Sequence, residues 1–128
     1  MTPGRERRRF PRYVLPSMYT NVVVRRTDEE VFGPCGHAYD VSVGGMRFEL
    51  DEPLKVGDNI VVRIELPGGE SAESEPVFAS GRVVWLEEED LEDAGPVRMA
   101  CVFHEFARPE DQDRLVQRLS SGRFSLAA

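Results

Sequence analysis

Apolar and polar residues alternate with a period of two over most of this chain, the spacing of β-strands with one buried face. The clearest run sets Ile60, Val62, Ile64 and Leu66 against Val61, Arg63 and Glu65. In an earlier run Met46, Phe48 and Leu50 point one way while Arg47 and Glu49 point the other. Further strands are expected from His37 to Val43, from Val77 to Leu86 and from Val97 to Phe106, and Tyr13 to Thr27 is β-like around Val22-Val23-Val24. Turn signals separate these runs: Asp28-Glu29-Glu30, Gly33-Pro34 with Gly36, Glu52-Pro53, Val56-Gly57-Asp58 and Pro67-Gly68-Gly69. Glu87 to Asp93, six acids and Leu91, reads as a solvated loop or hairpin tip. The period changes near the C-terminus. Pro109-Glu110-Asp111 offers proline at the first helical position and acids at the positive end of the dipole. Leu115, Val116 and Leu119 form an apolar stripe, and Gly122 is a C-cap. About six closely spaced strands and one terminal helix, with no βαβ alternation, predict an antiparallel barrel or sandwich.

Composition narrows the class. At 128 residues the chain has the size of one domain, and 41% hydrophobic with 30% charged residues predicts a folded core. No apolar run is long enough to span a membrane, so no membrane insertion is expected. The N-terminal arginines are not followed by the apolar stretch of a secretory signal. Cys35 and Cys101 suit free thiols in a reducing compartment, and the cytoplasm is expected. The net charge of −7 conceals an asymmetry. Residues 1–12 hold five arginines against Glu6 alone, a net +4, which leaves −11 on the rest. A basic arm on an acidic body argues against a general DNA or RNA binder and for a local anion site.

Two stretches carry candidate chemistry. In Arg8-Arg9-Phe10-Pro11-Arg12 three guanidiniums surround a Phe-Pro pair, preceded by Arg7. Guanidinium grips phosphate in bidentate fashion, bonds the O6/N7 edge of guanine and stacks on bases; alternatively the segment is a solubilising basic tail. The second stretch is Asp40-Val41-Ser42-Val43-Gly44-Gly45. Its carboxylate suits the N1–H and N2–H₂ donors of guanine, its hydroxyl serves a neighbouring group, and Gly44 and Gly45 allow a turn or a close ligand approach. The plainer alternative is a turn capped by Ser42. Cys35-x-His37 and Cys101-x-x-His104 are poorly spaced for zinc, because Cys101 and His104 point to opposite faces of a strand. Trp85 and Phe106 are assigned to the core. No constellation supports an enzyme.

Together, Arg8-x-x-x-Arg12 and Asp40-x-Ser42-x-x-Gly45 on a β-rich chain resemble the PilZ family, and the resemblance runs on through Gly81-Arg82-Val83-Val84-Trp85 to the Pro-Glu-Asp helix start. It implies an all-β fold: a six-stranded antiparallel β-barrel over residues 13–128 with one C-terminal α-helix, preceded by a flexible Arg-rich ligand-binding arm at residues 1–12. It implies cyclic di-GMP as the ligand, bound by the motif residues Arg8, Arg12, Asp40, Ser42 and Gly45, with Arg9 and Gly44 expected beside them and no metal or other cofactor. Arg7 would add a cation that favours a stacked ligand dimer. It further implies a receptor, monomeric or weakly dimeric, that signals to an unidentified effector protein in motility, exopolysaccharide or adhesion control. Relatives lacking the motifs act as ligand-independent adaptors, which is the alternative. One departure stands out: Ala100-Cys101-Val102-Phe103 occupies the place of the family's Gly-Val-x-Phe.

Overall fold

The alternating runs become one continuous antiparallel sheet. The computed structural model describes residues 11–16, 20–67, 75–87, 96–121 and 124–126. Its strands are β1 (Tyr13–Val14), β2 (Asn21–Arg26), β3 (Cys35–Ser42), β4 (Gly45–Leu50), β5 (Asn59–Glu65), β6 (Val77–Leu86), β7 (Val97–Phe106) and β8 (Ser125–Leu126). The strand order is β2-β5-β6-β7-β4-β3-β1-β8, and an added β2–β3 pairing closes the first six into a barrel. Two short strands, β1 and β8, continue the sheet beyond β3.

Closure depends on how β3 divides one edge. Its first part pairs with β2 (Asn21↔His37, Val23↔Cys35) and its second with β1 (Tyr13↔Val41, Val14↔Asp40). The exchange falls at two adjacent residues: the Ala38 N–H donates to the Thr20 carbonyl at 3.0 Å, and the Tyr39 carbonyl accepts from the Leu15 N–H at 2.8 Å. These two bonds carry the edge from one neighbour to the next without a gap.

The inward-facing positions fill the barrel. Phe48, Leu50, Ile60, Ile64 and Met99 are fully buried, each stabilising by about 1.5–3 kcal/mol relative to exposure. Three bulges reset the alternation. In β3 the register with β4 shifts between Ala38↔Phe48 and Asp40↔Arg47, leaving Tyr39 as the extra residue. In β6 it shifts between Val83↔Cys101 and Trp85↔Ala100, leaving Val84 extra; in β7 His104 is extra between Phe103 and Glu105. A bulge turns two successive residues to the same side. Hence Ala38 and Val41 both face the core while Asp40 faces out, and Val84 and Trp85 both point outward. The expectation that Trp85 belongs to the core is therefore corrected: the indole is 50% exposed. Phe106 does pack against the core, edge-on to Phe103 at 5.7 Å.

Helix α1 (Pro109–Leu119) lies against β6 and β7. Leu115 and Leu119 are buried, but Val116 is exposed, so the stripe is narrower than its sequence suggested. The face is completed by charged groups. Arg118 is buried and donates to the Pro67 carbonyl. Asp111 is fully buried; it accepts from the Arg108 N–H at 3.0 Å, from Arg108 Nε and Nη2 at 3.1 Å, and from Arg114 Nη2 at 2.6 Å. Ser120 is the C-cap, while Gly122, the expected one, and most of the acidic run lie outside the described residues.

Burial is the largest single influence on the Asp111 carboxyl and pushes its pKa up. The Arg108 hydrogen bonds and charge, the Phe78 backbone and the Arg114 charge together outweigh it, and the pKa is lowered. A depressed carboxyl stabilises the fold above its unfolded pKa near ~4 and loses that contribution as pH falls through the lower folded value. Asp111→Ala should destabilise the domain by about 2–4 kcal/mol, because it removes the partner of two guanidiniums at a buried junction. Urea titrations at pH 7 should show the full difference, and the gap to wild type should shrink below pH 4.

Candidate functional site

The second half of β3 is where the candidate residues meet. The register Tyr13↔Val41 and Val14↔Asp40 brings the residue before β1, Arg12, opposite Ser42. On the other side β3 and β4 form a hairpin with Ser42↔Gly45 paired and Val43-Gly44 at the turn. The Ser42 Oγ accepts the Gly44 N–H at 3.0 Å, so Ser42 does cap the turn. Asp40 and Ser42, two apart on β3, share the outer face with Arg12.

These residues open onto one cavity of about 550 Å³. Arg12, Asp40, Ser42, Gly44 and Gly45 line it on one side, with Arg47, Ala100 and Val102 next, and Val84 and Trp85 at the far side. The ladder explains the layout. Asp40↔Arg47, Arg47↔Ala100 and Trp85↔Ala100 form one row across β3, β4, β7 and β6. The small Ala100 leaves a trough between Arg47 and Trp85. A second cavity of about 290 Å³ adjoins it, sharing Asp40, Arg47 and Trp85 and adding Tyr39, Glu87 and Arg98. The Arg98 guanidinium stands over the Tyr39 ring at 5.1 Å.

Electrostatically the site is half complete. Asp40 is 9% exposed, and its Oδ1 is buried with no hydrogen-bond partner. Its Oδ2 lies 3.9 Å from Arg47 Nε, within ion-pair range but too long for a hydrogen bond. A buried carboxylate oxygen without a donor is costly, and Asp40 carries that cost beside the cavity. Among the described residues Arg12 is the arm's contribution; Arg7, Arg8 and Arg9 lie outside them.

Gly45 has a purpose other than admitting a ligand. A Cβ there would lie 2.3 Å from the Cys101 carbonyl oxygen, so β4 and β7 meet at this position only because it is glycine. Gly57, at φ 96°, is the sole positive-φ residue described, so the Val43-Gly44 turn needs no left-handed glycine. The cysteines are far from equivalent. Cys101 is buried beneath the trough, and burial pushes its thiol up to about 12. Cys35 is exposed, its thiol raised chiefly by the Asp51 carboxylate.

Arg47 and Trp85 are the residues that the sequence did not nominate. A signal existed for Arg47: residues 40 and 47 are equidistant from the Val43-Gly44 turn, as a two-residue hairpin requires. For Trp85 there was none, since only the Val84 bulge turns it outward.

Comparison with known proteins fits this geometry. A family model for the PilZ domain matches residues 6–121. The chain belongs to the PilZ family. Among solved structures, this PilZ domain is similar to the Bacillus subtilis inhibitor of motility, MotI/DgrA, at 22% identity and TM-score 0.61, over 91% of this chain and 54% of the other. It is also similar to the PilZ domain of Escherichia coli YcgR with cyclic di-GMP, at 17% and 0.59, over 90% of each chain. The K. pneumonia MrkH–cyclic di-GMP complex matches at 19% and 0.64, over 89% and 50%. The chain thus spans about half the length of MotI/DgrA and MrkH. No curated protein matches it in sequence. The departure at Ala100 falls inside the 550 Å³ cavity, between Arg47 and Trp85, so its methyl forms part of the floor.

Gly45→Ala should destabilise the whole domain by about 1–3 kcal/mol through the clash with β7. The check is a lowered thermal midpoint in the absence of any ligand.

Proposed function

We propose that this PilZ domain is a receptor for cyclic di-GMP, not an enzyme. The observation that carries the reading is the meeting of Arg12, Asp40 and Ser42 on one cavity, with an unpartnered buried oxygen on Asp40. Guanine offers N1–H and N2–H₂ to that carboxylate. Adenine lacks both donors and would leave Asp40 unsatisfied, a difference on the order of 1–3 kcal/mol. Arg8, Arg9 and Arg12 of the arm supply cations for the two phosphates, and Trp85 offers a flat surface for a purine. The arm at residues 1–12 folds over the ligand, and its ordering entropy is offset by charge-assisted bonds. Arg7 adds a cation that favours a stacked ligand dimer over a monomer. The closed arm and ligand form a new surface for an effector protein, in control of motility, exopolysaccharide or adhesion, in the cytoplasm. The second reading, a ligand-independent adaptor, leaves the unpartnered Asp40 oxygen without a use.

The chain's single tryptophan lines the cavity, so it reports on binding directly. Cyclic di-GMP should change Trp85 fluorescence and raise the thermal midpoint by mass action. Arg12→Ala and Asp40→Ala should each abolish both effects without unfolding the barrel. Micromolar binding retained by Arg12→Ala would count against the receptor reading. Calorimetry giving one ligand per protein, unchanged in Arg7→Leu, would exclude the dimer.

A further inference from the structure

We propose that Arg47, outside both sequence motifs, is a specificity-determining residue of the site: with Asp40 it reads the guanine base and rejects adenine. This rests on the cyclic di-GMP reading above. Asp40 and Arg47 are direct cross-strand neighbours on the outer face, placed so by the Tyr39 bulge and the Val43-Gly44 turn. Cross-strand partners hold their side chains close enough to act on one group. Their charged atoms are 3.9 Å apart and do not hydrogen-bond each other, so neither saturates the other. The Asp40 Oδ1 remains an unpartnered acceptor. The Arg47 side chain is 56% exposed, and it stands on the line shared by the two cavities, with the small Ala100 next in the row and Trp85 after it.

An acceptor beside a forked donor complements guanine across two adjoining edges. N2–H₂ and N1–H are donors, and O6 and N7 follow as acceptors. With the carboxylate on N1–H and N2–H₂, the neighbouring guanidinium falls to O6 and N7. Adenine carries an amino group in place of O6, so its hydrogens would face the guanidinium's own N–H groups. The Asp40–Arg47 pair therefore rejects adenine at two adjacent positions. The arm arginines are left to the phosphates, which are the same in every cyclic dinucleotide.

The test titrates cyclic di-GMP, cyclic di-IMP and cyclic di-AMP into wild type and Arg47→Ala. Cyclic di-IMP keeps O6, N1–H and N7 and lacks only the 2-amino group. Arg47→Ala should lose about tenfold or more in affinity for cyclic di-GMP and for cyclic di-IMP, with little change for cyclic di-AMP. An equal loss on all three ligands would assign Arg47 to a phosphate and overturn the proposal. So would an unchanged preference for guanine over adenine. Thermal midpoints of the unliganded proteins separate binding loss from misfolding, which the exposed side chain does not predict. Wild type that fails to bind cyclic di-GMP would defeat the receptor reading itself; wild type that binds, with a variant of unaltered preference, would defeat only the role of Arg47.

Discussion

The middle of β3 is the constraint on which everything else depends. At Ala38 and Tyr39 the strand passes one edge from β2 to β1 while its other edge, against β4, takes up one extra residue. The first event closes the barrel and frees a short stretch of edge for β1. The second reverses the in–out phase, so that Val41 enters the core and Asp40 leaves it. Backbone hydrogen bonds hold the first event in place, through the Ala38 N–H to Thr20 and the Leu15 N–H to Tyr39. Without the extra residue, Asp40 would follow Ala38 inward, and a carboxylate would enter an apolar barrel at severe cost.

The same economy of backbone geometry builds the rest of the site. β1 is only two residues long, yet its register carries Arg12 to Ser42 and so joins a segment near the N-terminus to the Asp40 hairpin. Across the trough the Val84 bulge turns Trp85 outward. The floor is low because Gly45 and Ala100 are small, and Gly45 must be, since the Cys101 carbonyl occupies the space of a side chain. Among the described residues, a cavity that can receive flat, hydrogen-bonding groups thus arises from strand register and two bulges. The charged junction around Asp111 fixes the helix elsewhere, against β6 and β7, and leaves the trough open.

Much of this was legible in the residues alone. Period-two alternation set the strands because each has one face on the core, as the buried Ile60, Val62, Ile64 and Leu66 show. The Pro-Glu-Asp start placed the helix, since proline and acids suit a first turn whose N–H groups have no helical partner. The two motifs, Arg8-x-x-x-Arg12 and Asp40-x-Ser42-x-x-Gly45, pointed to the family. Turn counting would have added Arg47. Trp85 and Val116 were misassigned for opposite reasons. Trp85 has the right parity for the core but sits after a bulge, and Val116 has the right spacing for the stripe but the helix buries Asp111 and Arg118 in its stead.

By itself, then, the sequence determined which segments are strands, where the helix begins and which side chains carry the candidate chemistry. These depend on local periodicity, propensity and residue type, all of which are written in consecutive residues. Only the tertiary structure decided which of those side chains share a cavity and which way Asp40 and Trp85 face. A bulge is a property of two paired strands and leaves no mark in either one alone. For the same reason the opposition of Asp40 and Arg47, and of Arg12 and Ser42, exists only once the ladder has set its register.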